Sequence, residues 1–370
     1  MRTLFSRAKR RKLISALLVN GILFFIVLVW TIPTLGVLIS SFRSRFEVQT
    51  SGWWTVFPHK EWVKVAQEPL PKGVDANGVM EIEGARGTFQ EFRKGITTPD
   101  GRRIMWVGNK RRGYIEIQER RWTTRTGFTL DNYKQVLLGK NFELRNPDGS
   151  VTKVQGDNFV GAFLNSLTVT IPATLIPILI AAFAAYGFAW IRFAGRRLLF
   201  VMVVALLVVP LQIALVPILK DYVTLRLNGT FLAVWLAHTG FGLPLATYLL
   251  FNYINSLPRD ILESAFLDGA SHFTVFMRLI LPLSMPALAS FAIFQFLWVW
   301  NDYLVALVFL GARPNVQVLT MRLAEMVGSR GNDWHLLTAG AFVSMALPLL
   351  VFFALQRYFV RGLLAGSVKG

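Results

Sequence analysis

The chain has no cysteine among its 370 residues, which excludes disulfides and thiolate chemistry. Its four histidines, His59, His238, His272 and His335, show no clustered metal-ligand spacing, so no metal site is expected. Charge is scarce, at 16% of residues against 54% hydrophobic. Neither a G-x-x-x-x-G-K-[ST] run nor a dinucleotide-binding glycine pattern occurs, and no cofactor is expected on this chain. Paired carboxylates at membrane depth are missing too, because Asp302 is the only acid inside an expected span. The chain is therefore read as non-catalytic. A formal charge of +18 invites a nucleic-acid reading, but the basic residues flank apolar runs or lie in one extramembrane block, without zinc-finger spacing or an aromatic-basic platform.

What the chain does have is apolar residues gathered into runs of about 20, the length that crosses a bilayer as helix. Six spans fit: Ile14 to Ile39, Phe159 to Trp190, Leu198 to Leu219, Phe231 to Phe251, Leu283 to Leu310 and Leu336 to Leu355. The first follows Arg7, Lys9, Arg10, Arg11 and Lys12 and superficially resembles a signal peptide, but it is longer than an h-region and no small-x-small site closes it. It reads as an uncleaved span. Prolines at 172, 177, 210, 217, 244, 286 and 348 are expected to kink four or five of the spans.

Charge orients the bundle. The N-terminus, the Arg192 to Arg197 link, the Asn252 to Pro282 loop and the tail together carry 14 basic and three acidic residues, while the short loops of the other face carry five and three. The first face, with both termini, is read as cytoplasmic. A long block, 40–158, then lies outside the cytoplasm; it holds 14 of the 21 acidic and 20 of the 39 basic residues. Within it, Arg103–Val107 and Gly113–Gln118 have strand length and composition, Pro71–Gly78 reads as a loop, and Thr129–Leu137 reads as a short capped helix. A small β-rich lobe follows, either a packing insert or a contact for an extracytoplasmic partner.

Between Leu257 and Pro282 the pattern is that of a helical hairpin. Pro258 suits a first turn, and Leu262, Phe266 and Leu267 supply an apolar side. Gly269 follows Asp268 where the chain must turn, since glycine accepts positive φ. Phe273, Phe276, Met277 and Ile280 recur at helical spacing before Pro282. Such a hairpin suits the cleft of a soluble partner, although on spacing alone Glu263 and Asp268 serve equally well as solvation of a loop.

Glu263-Ser264-Ala265, Asp268-Gly269-Ala270 and Ile280-Leu281-Pro282 strongly resemble the coupling loop of permease subunits of binding-protein-dependent ABC importers. More narrowly, the chain resembles the second permease of maltose and α-glucoside systems, through Phe128–Tyr133, Asn165-Ser166-Leu167, Trp300-Asn301-Asp302-Tyr303 and Gln356–Leu363 as well. Ser264 stands where alanine is usual, and the large insert departs from the ordinary second permease, resembling longer α-glucoside forms.

The resemblance implies an all-α polytopic membrane protein with the six helices of the type I ABC importer permease fold and a small β-rich extracytoplasmic insert. Its expected divisions are 1–39, the cytoplasmic N-terminus and first helix; 40–158, the insert; 159–356, the permease core with the hairpin at 257–282; and 357–370, the cytoplasmic tail. It implies a bacterial inner-membrane location, a companion permease, an extracytoplasmic solute-binding protein, a sugar substrate, and two ATP-binding subunits that carry the ATP and Mg. Glu263, Ser264, Ala265, Asp268, Gly269, Ala270 and Pro282 are the expected coupling residues. Gln356 and Arg361 are candidate tail contacts with the ATPase, and Gly328, Gly331, Asn332 and Trp334 belong to the loop expected to meet the binding protein.

The residues themselves suggest a path. Gln295, Trp298, Asn301 and Asp302 set hydrogen-bonding groups beside an aromatic ring, with Gln295 and Asp302 seven apart on one stripe of the fifth span. That grouping suits a saccharide, and an interfacial aromatic belt accounts for its outer part equally well. The alternative to an importer subunit is a membrane scaffold or receptor that binds an outer partner without transport.

Overall fold

The computed structural model describes residues 2–71, 76–110, 112–139, 142–145, 151–154, 159–329 and 333–365. Two compact units emerge, Met1–Thr129 and Leu130–Gly370.

The first unit begins with α1 (Arg2–Ser41), which contains a 30-residue apolar stretch from Lys12 to Ser41. Its large apolar side chains from Leu13 to Leu35 find no cover within the first unit. Arg43, just beyond it, is fully buried because its guanidinium is surrounded by acceptors: Glu47 Oε2 (3.1 Å), Ser51 Oγ (2.5 Å) and Thr55 Oγ1 (3.2 Å). Those acceptors come from α2 (Arg45–Thr50) and the turn after it.

The β-rich lobe predicted from the sequence follows. A four-stranded antiparallel sheet has the order β1-β6-β5-β4, from β1 (His59–Pro69), β4 (Ile96–Thr97), β5 (Arg102–Gly108) and β6 (Gly113–Thr123). The two strands read from composition are the centre of β5 and the first half of β6. Alternation decides the faces: Ile104 pairs with Ile117 and Trp106 with Ile115 on the buried side. Against that side pack the hairpin β2 (Val79–Ile82) and β3 (Ala85–Thr88) and the helix α3 (Phe89–Lys94), through Met80, Ile82, Phe89 and Phe92. Thr88 and Glu91 form a reciprocal capping box that starts α3. Across the lobe, Arg125 donates to Glu61 (Nε to Oε2, 2.9 Å) and holds that carboxyl below its usual range. Of the tract 71–78, residues 72–75 lie outside the described residues.

The second unit opens with α4 (Asp131–Leu138), where a short helix was predicted, and the strand pair β7 (Phe142–Arg145) and β8 (Val151–Val154). Then come α5 (Phe159–Trp190), α6 (Arg196–Ala205), α7 (Leu211–Thr224), α8 (Phe231–Asn255), α9 (Arg259–Leu267), α10 (His272–Val275), α11 (Leu281–Leu283), α12 (Met285–Asn301), α13 (Leu304–Leu310), α14 (Leu319–Ser329) and α15 (Trp334–Ala365). The chain is an all-α polytopic membrane protein carrying a small β-rich lobe. Among the described residues, four helices are long and apolar enough to cross a membrane, and six segments are if each bent pair counts as one.

The bends refine the sequence reading. The third expected span is bent by 104° between Arg196–Val208 and Leu211–Thr224, where Pro210 adopts extended backbone and cannot donate to the preceding turn. The fifth does not run on to Leu310. Its helix stops at Asn301, Asp302 leaves helical geometry (φ −74°, ψ 127°), and the Asp302 carboxylate accepts from the N–H groups of Val305 and Ala306 at the start of α13. Pro172, Pro177, Pro217, Pro244 and Pro348, by contrast, lie inside continuous helices.

Candidate functional site: the helical hairpin and a buried polar seam

The hairpin forms as its residues dictate. Pro258 precedes α9 rather than occupying its first turn, and Asp260 in that turn faces the positive helix end. At the other end, Ala270 N–H donates to Ala265 O and Gly269 N–H to Phe266 O, both at 3.0 Å, with Gly269 at φ +83°. Those paired bonds are a Schellman motif, and the left-handed residue it needs is the glycine. Ser271 then caps α10 by accepting from Thr274 N–H (3.2 Å). A π-helical turn, Phe276–Ile280, carries the chain through Pro282 to Ser284, where the path bends by 70° into α12.

One side of the hairpin belongs to the core. Leu262, Val275, Phe276 and Ile280 are buried with Tyr186, Leu250, Ile254 and Phe291 from α5, α8 and α12. Phe276 stacks on Phe183 (centroids 4.4 Å), His272 Nδ1 and Tyr186 Oη are 2.8 Å apart, and Tyr253 Oη donates to Leu283 O (3.1 Å). Burial of Leu262 alone contributes about 1.5–3 kcal/mol.

The other side is open. Glu263, Ser264, Asp268, Gly269 and Pro282 are exposed, Ala265 and Ala270 half-buried. Leu267 does not join the apolar inner side as predicted. It is 88% exposed, because five positions beyond Leu262 places it well round the helix, and Phe273 is 66% exposed. The hairpin thus exposes the apolar side chains of Ile261, Leu267, Phe273 and Met277 together with the carboxylates of Glu263 and Asp268.

The predicted path residues divide. Gln295 is fully buried, its Nε2 donating to Ala173 O (3.1 Å) and His238 O (3.4 Å); Trp298 packs its ring against that of His238 (5.3 Å); Asp302 Oδ2 lies 3.6 Å from His238 Nε2. Asn301 does not converge with them: it is exposed and donates to Leu297 O in its own helix (2.8 Å). The seam thus centres on His238, which the sequence reading did not single out. An ionisable side chain in the middle of an apolar run was the available signal. A cavity of about 10 Å³, the size of one water, lies beside it and is lined by Ser166, Thr170, His238 and Asp302 among others. Among the described residues, no group of three or more metal-ligating side chains is gathered.

Of the remaining sequence candidates, Trp334 starts α15 and is 54% exposed, and Gly328 lies in α14; Gly331 and Asn332 lie outside the described residues. Gln356 is exposed on α15, which continues past it to Ala365; the side chain of Arg361 lies outside the described residues.

Residues 169–364, which hold both hairpin and seam, match the family described as the binding-protein-dependent transport system inner membrane component. The chain is 49% identical over 344 residues to the osmoprotective compounds uptake permease protein GgtD of Synechocystis sp., covering 93% of this chain and 89% of that one. It is 47% identical over 385 aligned positions to the alpha-glucoside transport system permease protein AglG of Rhizobium meliloti, covering 93% and 95%. A solved bacterial ABC transporter involved in the import of the acidic polysaccharide alginate aligns at 20% identity and TM-score 0.46, over 54% of this chain and 75% of that one.

Proposed function

This chain belongs to the family of binding-protein-dependent transport system inner membrane components, and from that premise we propose that it is the permease subunit of an ATP-driven importer of α-glucosides or related oligosaccharides. The substrate class is drawn from the relative named for alpha-glucoside transport. In this reading the hairpin relays motion of ATP-binding partners to the bundle, and the bundle alternates its access. ATP and Mg reside on those partners, and hydrolysis is theirs. A companion permease completes the path, an extracytoplasmic solute-binding protein delivers the sugar, and both termini lie in the cytoplasm.

One observation carries the proposal: the hairpin is fastened on one side and open on the other. Its inner face shares the core of α5, α8 and α12, while Leu267 and Phe273 stand out beside Glu263 and Asp268. Apolar side chains so exposed on a rigid polar turn fit a partner's groove. Gln356 and Arg361 then supply a second cytoplasmic contact, and Gly328, Gly331, Asn332 and Trp334 an outer one. Gln295, Trp298, Asn301 and Asp302 form the candidate translocation path, with Asn301 standing apart from the other three.

The test is site-specific cross-linking in intact membranes. Photo-cross-linkers at Glu263 and Asp268 are expected to capture a nucleotide-hydrolysing protein, with yield changing when ATP is trapped. Failure of both positions to capture one removes the coupling assignment. A scaffold would bind an outer partner and leave ATP hydrolysis unchanged, so binding-protein stimulation of the ATPase separates the two.

A further inference from the structure

The outward face of the four-stranded sheet is built differently from its buried face. Strand alternation places Lys60, Trp62 and Lys64 of β1, Tyr114, Glu116, Arg120 and Trp122 of β6, and Arg103 of β5 on this side, opposite the Ile104, Trp106, Ile115 and Ile117 core. Three cations lie over three rings: Lys60 over Trp122 (5.6 Å), Lys64 over Tyr114 (5.3 Å) and Arg103 over Trp62 (5.8 Å). Lys60 and Trp122 are directly opposed on the ladder, whereas Lys64 reaches along the sheet to Tyr114 and Arg103 reaches across β6 to Trp62, so each of these cations rests on a ring of the same face. Lys60, Lys64, Arg120 and Trp122 are exposed, Trp122 at 67%. Glu116 is the one acid on this face, and it is engaged by Gln118 (2.7 Å) and Lys64 (4.0 Å). Among the described residues the face therefore carries four basic side chains against one carboxylate, a net of three positive charges.

We propose that this sheet face is a docking surface for an acidic patch on the extracytoplasmic solute-binding protein, a reading that rests on the importer assignment above. Charge complementarity selects the partner's chemistry. A net of three positive charges displayed on one sheet face attracts an acidic surface over a Debye length and orients it on approach. The chemistry argues against a sugar as the occupant. Saccharides stack C–H faces on bare rings, and here three rings are already covered by cations. Tyr114, Trp62 and Met105, half-buried between the charges, supply the partly apolar centre that a protein interface uses. The basic excess of the insert thereby acquires a use that the permease core does not need.

The test uses the whole transporter, reconstituted in nanodiscs with its co-encoded solute-binding protein and α-glucoside. Lys60→Glu/Lys64→Glu/Arg120→Glu is expected to weaken binding-protein affinity by about 10-fold and to flatten its salt dependence. The neutral set Lys60→Gln/Lys64→Gln/Arg120→Gln, whose thermal unfolding is measured alongside, gives a smaller loss and guards against misfolding of the reversal variant. Arg86→Glu/Arg93→Glu, on β3 and α3 at the other side of the lobe, binds as the natural chain does. Unchanged affinity in the reversal and neutral sets overturns the proposal. Loss of binding to anionic vesicles with binding-protein affinity intact also overturns it, in favour of a membrane contact. A natural transporter that fails to bind the solute-binding protein at all instead brings down the importer reading itself.

Discussion

Tyr186, near the end of α5, meets His272, at the start of the hairpin's second arm, with 2.8 Å between Oη and Nδ1. The same tyrosine ring packs against Phe276 (5.5 Å), and His272 packs against Phe266 of the first arm (4.9 Å). One short chain of contacts thus runs from a membrane-length helix through both arms of the turn. Stiffness of that chain decides how much of a push on the exposed side reaches the bundle.

Tyr186→Phe keeps the ring and deletes the hydroxyl. A net loss of about 1 kcal/mol in seating the hairpin, or about five-fold in its docked population, is expected. Binding-protein-stimulated ATP hydrolysis should fall relative to basal hydrolysis, whereas sugar affinity of the isolated binding protein stays fixed. An unchanged ratio of stimulated to basal rate removes Tyr186 from the relay.

Gly269 allows a sharper experiment because space and backbone separate cleanly there. A Cβ added at Gly269 meets nothing within 4 Å, yet its φ is +83°. Substitution therefore costs only backbone strain, about 1–2 kcal/mol for most side chains and more for β-branched ones. Gly269→Asn should retain most coupling and Gly269→Val should lose it, read as sugar-stimulated ATP hydrolysis by the reconstituted complex. Equal losses in both would mean that the partner, not the turn, demands the glycine.

The hairpin was legible because its determinants are local: Pro258 before a helix, Gly269 after one, and Pro282 leading into the next. The strands of the lobe were legible for a similar reason, since alternation is written in successive residues. What escaped depends on neighbours. Pro210 breaks its span while Pro172 and Pro244 ride inside α5 and α8, and nothing in the proline alone distinguishes them. Gln295 and Asp302 share a stripe of sequence, but the histidine that joins them is more than 50 residues earlier. Leu267 was placed on the apolar side of α9 because composition cannot say whether an apolar side chain faces its own chain or a partner.

The lobe should lose stability in acid through Glu61. Its carboxyl is held below the ordinary value of 4.5 first by the hydrogen bond from Arg125, against an opposing desolvation, with His59 Nε2 also at 3.4 Å. A carboxyl lowered on folding stabilises the folded lobe above the unfolded value, and that contribution disappears as pH falls through the folded one. Protection of the β1 and β6 amides against hydrogen exchange in the intact transporter, taken relative to the intrinsic rate at each pH, should fall below about pH 4.5 in the natural chain. In Glu61→Gln the exchange should already be faster at neutral pH and should change less on acidification. Identical acid profiles would show that the ion pair does not support the sheet.

Gly242 and Gln295 form the tightest test of the buried seam. A Cβ on Gly242 would lie 2.7 Å from both the nitrogen and the oxygen of the Gln295 amide, inside any real contact. Glycine there is what lets α8 approach the amide, so that Nε2 reaches Ala173 O and His238 O. Gly242→Ala should lower the melting temperature of the purified complex by displacing the amide, and Gln295→Ala by removing its bonds and leaving a void. In the double variant the new methyl occupies part of that void and has no amide to strike. The two losses should then fail to add, with a coupling energy of about 0.5–3 kcal/mol favouring the pair. Strict additivity would mean that the Gly242 backbone and the Gln295 amide do not share the space assigned to them.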